Sequence, residues 1–169
     1  MRKHIRAAEK VVRGHMNANN DLIQEGENSL SDNTVAWGRA MDRITQHGEE
    51  FERIWKNHVV LEGQYIEALF QCSCEGMGSC AQARRCTKIL GQLRTNGHDM
   101  IRFLSLHFRN RPFWRKLWTA HLACVKSLID TGKMASCKTK TKAEFRARVN
   151  HCLDSGVIIG NVLNRMAQG

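Results

Sequence analysis

Pro112-Phe-Trp-Arg-Lys-Leu-Trp-Thr-Ala-His-Leu-Ala-Cys-Val-Lys-Ser-Leu-Ile-Asp130 is the stretch whose reading decides the fold. Trp114, Leu117/Trp118, His121, Val125 and Leu128/Ile129 recur at helical spacing, while Arg115, Lys116 and Lys126 fall between them, so the segment is an amphipathic helix. It opens at the only proline of the chain, which suits a first helical turn, and ends at Thr131-Gly132. A single proline in 169 residues leaves long runs without a helix breaker. The expectation is an all-α chain: a compact, single-domain bundle of about six or seven helices.

Working outward from that helix, Arg109-Asn-Arg111-Pro112 closes the helix before it, because the residue preceding a proline disfavours the α region. That preceding helix, about 98–109, buries Ile101, Leu104 and Phe108, and Asn96-Gly97 reads as the turn separating it from a helix at 80–95. Cys72–Cys80, with two glycines, reads as a connector. Upstream, Trp37, Met41, Ile44, Phe51, Trp55, Val59, Ile66 and Leu69 form one apolar stripe and predict a long helix at about 33–71, capped by Asp32 or Ser31. A division near Gly48 would give two ordinary helices instead. Asn17–Asn33 has the composition of a loop. Residues 1–16 form a basic amphipathic helix or a vector-derived segment, with residues 17–169 as the domain proper. Downstream, Lys133–Lys142 reads as a mobile basic linker, and Thr141-Lys-Ala-Glu144 is a capping box. It starts a last helix that buries Phe145, Val149, Cys152 and Leu153 and continues into an apolar end at 157–163.

Composition narrows the function. The chain is 42% hydrophobic and 25% charged, as globular proteins are, and no apolar run is long enough to span a bilayer. Its net charge of +10 is unevenly placed. Residues 1–75 carry nine Lys/Arg against twelve Asp/Glu, and residues 76–169 carry seventeen against four, a local excess of +13. Such asymmetry points to a polyanionic partner for one face. Seven cysteines without an export signal point to an intracellular, reducing compartment.

Candidate chemistry was sought in four places. Cys72, Cys74, Cys80 and Cys86 are a possible structural zinc set, although C-x-C-x5-C-x5-C lacks paired C-x2-C knuckles. A second set, His121 and Cys124 with Cys137 and His151 or Cys152, has suitable ligand types. Ferritin-like sites need Glu-x-x-His pairs, and no acid here has a histidine three residues on. His58 with Glu62 is the only His/carboxylate pair spaced i, i+4, and His58 itself is expected to be a surface or half-buried residue. No hydrolase, P-loop or zincin signature is present, so no catalytic residue or enzyme class is assigned.

The reading these features favour is a non-enzymatic nucleic-acid-binding protein. Its phosphate contacts would come from Arg84, Arg85, Lys88, Arg102, Arg109, Arg111, Arg115, Lys116, Lys138, Lys140 and Lys142. Trp114 and Trp118 are assigned to the core, not to base stacking. The alternative is a protein-interaction or assembly module, such as an adaptor or homodimer, whose basic surface meets an acidic protein. A zinc-stabilised helical domain is the third reading.

Overall fold

The computed structural model describes residues 1–74 and 81–168, and these fold into six α-helices packed side by side. They are α1 (Arg2–Asn17), α2 (Asn20–Thr45), α3 (Gly48–Phe70), α4 (Ala81–Phe108), α5 (Arg111–Ser136) and α6 (Lys142–Gln168). No strand is present among the described residues. No helix is long and apolar enough to cross a membrane. The all-α bundle expected from the Pro112–Asp130 stretch is the observed architecture.

The element boundaries correct several expectations. Asn17–Asn33 is not a loop: α2 begins there, with the Asn19 side chain accepting a hydrogen bond from Leu22 N at 2.9 Å. Its small and polar residues serve close packing, since a Cβ on Gly26 would lie 2.6 Å from Val11 Cγ2 and 3.0 Å from the Ala7 carbonyl oxygen of α1. The long helix expected at 33–71 is divided near Gly48, as the alternative reading had it. Gln46 takes a left-handed conformation (φ 59°), and the Gly48 amide donates to Asp42 Oδ1 at 3.1 Å.

Asn96-Gly97 does not form a turn. Asn96 is buried inside a continuous α4 and donates to the Ile54 carbonyl of α3 at 2.9 Å, so a side-chain bond across the helix interface replaces the expected break. Similarly, α5 runs past Gly132 to Ser136, and Lys133 is no part of a mobile linker. Only 4% exposed, it reaches across to donate to the Cys72 carbonyl at 2.6 Å, and burial lowers its pKa.

Two expectations hold in atomic detail. Asn110 caps α5 by accepting from Phe113 N at 3.3 Å, with proline in the first turn. The capping box closes reciprocally: Glu144 N donates to Thr141 Oγ1 at 3.1 Å and Thr141 N donates to Glu144 Oε2 at 2.7 Å. Phe145, Val149, Cys152 and Leu153 are buried as expected. The apolar run 157–160 and Leu163 lie outside the residues whose side chains are described.

The core divides into two clusters along the bundle axis. One is largely aromatic, built on Phe51, Trp55, Phe103, Trp114 and Trp118 with Met1, Met41 and Met100. The other is mainly aliphatic, built on residues such as Val12, Leu30, Ile66, Ile89, Leu128, Ile129 and Val149. Along α1, α3 and α5 the chain passes from the aromatic cluster to the aliphatic one; along α2 and α4 it passes the other way. This is up-and-down topology, and it brings the same level of α1, α3 and α5 to the boundary between the clusters.

Candidate metal centre

At that boundary sit four buried polar side chains. His4 follows Met1 by three residues and precedes Ile5 on α1; His58 and Glu62 are one turn apart on α3, between Trp55 and Ile66; His121 lies between Trp118 and Val125 on α5. Each is on the apolar stripe of its helix, which is why folding carries all four inside. None is more than 2% exposed. His58 was expected at or near the surface, and its burial corrects that reading.

Their ligand atoms converge, with one from each residue lying within 4.8 Å of all the others. His4 Nε2 is 3.1 Å from Glu62 Oε2, and His58 Nε2 is 2.8 Å from Glu62 Oε1. His58 Nε2 also faces His121 Nε2 at 3.2 Å. A single N–H on His58 cannot point at both Glu62 and His121. The carboxylate contacts are at ion-pair distance, yet neither oxygen of Glu62, nor His4 Nε2, has an aligned hydrogen bond. Trp55 and Trp118 wall the group, with ring centroids 5.1 Å from those of His4 and His58 respectively.

The electrostatics set the protonation states. Burial alone would raise the Glu62 pKa, but the His58 and His4 imidazoles beside it prevail and hold it well below the usual carboxylate range. Burial, reinforced by the neighbouring His58 and His4, pushes His121 well below the usual imidazole range against the pull of Glu62. At neutral pH the centre therefore offers an ionised carboxylate and a neutral imidazole, the forms in which these groups bind metals. A zinc ion ~2.0–2.1 Å from each of four ligands would hold them roughly 3.3 Å apart in a tetrahedron. Three of the six pairs lie at 2.8–3.2 Å, and all six fall within 4.8 Å.

A second group, His47, Glu50 and His107, also has ligand atoms within 4.8 Å of one another, at the α2–α3 corner. His47 and Glu50 are exposed, so water can solvate them, while His107 is half-buried with its Nε2 shielded from solvent.

The cysteines are arranged differently from either sequence-derived set. Cys74 is disulfide-bonded to Cys137, and Cys124 to Cys152. Cys72 is also disulfide-bonded, Cys86 is a buried free thiol and Cys80 lies outside the described residues. Cys72, Cys74, Cys80 and Cys86 thus do not present four free thiolates, and His121 turns to the other histidines rather than to Cys124.

The basic residues fall in two groups. Arg84, Arg85 and Lys88, near the start of α4, share the aliphatic end of the bundle with Lys138, Lys140 and Lys142. Arg102, Arg109, Arg111, Arg115 and Lys116 gather toward the aromatic end. The 24 residues between Arg85 and Arg109 correspond to about 36 Å of helix. Arg85 pairs with Glu67, Arg102 with Asp99 and Lys140 with Glu144. The other eight have no carboxylate partner among the described residues.

Of the buried centre, the sequence offers the His58/Glu62 pair and places His121 in a different set, with Cys124. His4 lies in the segment read as a basic amphipathic helix or a vector-derived extension. The available signal was one histidine on the apolar face of each of three helices. The chain matches no protein-family model, curated protein or solved structure.

Proposed function

We propose that the protein is a metal-binding helical bundle in which His4, His58, Glu62 and His121 hold one divalent transition-metal ion, with zinc the best fit. The observation that carries this reading is the burial of a carboxylate and three imidazoles whose ligand atoms lie within 4.8 Å of one another, with His58 Nε2 facing both Glu62 and His121. A buried unsatisfied polar group costs about 1–3 kcal/mol, more when charged, so several together would consume a large part of a domain's stability. An ion accepting their lone pairs removes that cost and resolves the competition for the His58 N–H. Three imidazoles and one carboxylate suit zinc and also Fe(II), Co(II) or Ni(II). Four protein ligands close a tetrahedral site, which favours a structural or metal-responsive role over catalysis.

The test is elemental analysis of protein purified without chelator, followed by zinc and cobalt titration of the apoprotein. About one equivalent per chain, lost in His121→Ala and Glu62→Gln, is the expected result. Metal below a tenth of an equivalent, with no thermal shift on adding any of these ions, would sink the reading.

Polyanion binding is a second proposal, favoured by the eight unpaired cations named above. Nucleic acid is the first partner of this kind, and an acidic protein the next. Affinity for generic RNA or DNA should fall steeply with salt, because phosphate contacts release counterions. Absence of binding at low salt would reject the nucleic-acid partner.

A further inference from the structure

A cleft of about 660 Å³ opens between α3, α4 and α5, within the usual size range of small-molecule sites. Its walls include Leu93, Trp118, Leu122, Val125 and Ile129, and Glu62 backs it from the metal centre. Basic side chains line it from both helices: Arg94 and His98 from α4, Arg111, Arg115 and Lys126 from α5. Among its lining residues Glu62 is the only acid, and that carboxylate faces the histidines. Asp130 is occupied outside the lining, accepting from Tyr65 Oη at 2.7 Å and pairing with Lys126. Arg94, Arg111 and Arg115 have no carboxylate partner among the described residues.

We propose that this cleft binds an apolar monoanion: a free carboxylate on an aliphatic or aromatic body, its body against the Leu/Val/Ile/Trp walls and its head on the arginines. Two features point to that chemistry rather than to a neutral ligand. The guanidiniums sit beside an apolar surface, and their planar fork matches a carboxylate. The lining supplies no free acid to answer them. From Arg115 to Ile129 the cleft follows about 21 Å of α5, which favours an elongated body over a compact one.

The test compares octanoate, octanol and acetate by calorimetry and tryptophan fluorescence at low salt. Octanoate should bind at least tenfold more tightly than octanol, and acetate should bind weakly, because each ligand lacks one half of the match. In Arg111→Ala/Arg115→Ala the acid and the alcohol should bind within about twofold of each other. These arginines are exposed and have no carboxylate partner among the described residues, so the variant should fold; Arg94→Ala gives a second, smaller reduction. Equal affinity for acid and alcohol in the native protein, a preference that survives the double substitution, or no octanoate binding would each overturn the proposal. The proposal does not depend on a metal. The same samples assayed for zinc keep the two readings apart, since the arginine variants should retain metal and His121→Ala should lose it while still preferring octanoate.

Discussion

The two ends of this core solve the same problem by different means. The aliphatic cluster unites residues from all six helices, and the disulfide Cys124–Cys152 ties α5 to α6 there. Cys74–Cys137 secures the end of α5 to the segment that follows α3. These constraints act mainly by limiting the unfolded chain and need no ligand. The aromatic cluster contains no cysteine, and four polar residues on α1, α3 and α5, together with Val59, lie between it and the aliphatic one. Its polar boundary becomes stabilising only when the lone pairs facing one another are satisfied. One end is thus held by covalent cross-links, the other through buried polar groups that must be satisfied.

Removing what satisfies each end should separate them. If zinc fills the centre, apoprotein supplied with free zinc at a thousand times its dissociation constant should gain about 4 kcal/mol of stability by mass action. His121→Ala should abolish that increment, as read by thermal melts with and without zinc. Breaking the other end, Cys124→Ala with Cys152→Ala opens a loop with a sequence separation of 28 residues. Chain-entropy arguments put the loss at about 3.5 kcal/mol. This variant should melt earlier but retain its full metal content. Loss of metal on removing the disulfide would show that the two ends are not independent.

The contrast also explains what could be seen in the sequence. Helical periodicity depends on local spacing, so Trp114 and Trp118 on the buried stripe, the Asn110–Pro112 start and the Thr141–Glu144 cap were legible. The errors arose where a residue's local preference was overridden from a distance. Asn96-Gly97 has turn chemistry, but the Ile54 carbonyl uses the asparagine inside a helix. Asn17–Asn33 has loop composition, but α1 requires its small residues. Lys133 looks solvated, but the Cys72 carbonyl captures it. The buried His/Glu group is the extreme case, because its members are separated by 54 and 59 residues and come together only when three helices are in register. A charge count showed the basic surface at once, whereas His4 and His121 each looked like one odd residue on an otherwise apolar face.

Two glycines provide a smaller and opposite pair of effects. A Cβ at Gly132, on α5, would lie 2.3 Å from Val12 Cγ1 and 3.2 Å from Phe145 Cε2, inside the aliphatic end. Val12 is β-branched and wholly buried, so it cannot easily turn aside. Gly132→Ala should therefore destabilise by about 1–3 kcal/mol through overpacking, despite its gain in helix propensity. A Cβ at Gly91, on α4, meets nothing within 4 Å, and Gly91→Ala should stabilise by about 1 kcal/mol. Paired denaturant melts test the sign. Stabilisation by both would mean that α1 and α5 approach less closely than described.

The smallest expected effect lies at the start of α6, outside both clusters. Thr141→Ala removes the acceptor for Glu144 N and should cost about 1 kcal/mol, the usual value of an N-cap. Hydrogen bonds from Lys140 and from the Thr141 backbone and side chain bring the Glu144 pKa down to about 2. Because the folded pKa lies below the unfolded one, this carboxylate contributes stability above the ordinary glutamate range. That contribution is lost as the pH falls through about 4.5 toward 2. Glu144→Gln should therefore differ from the native protein at pH 7 and converge with it near pH 2. The metal content of both should match at pH 7, since the cap lies on α6 and supplies no ligand. A difference that persists at the lowest pH would mean that Glu144 acts through packing instead of charge.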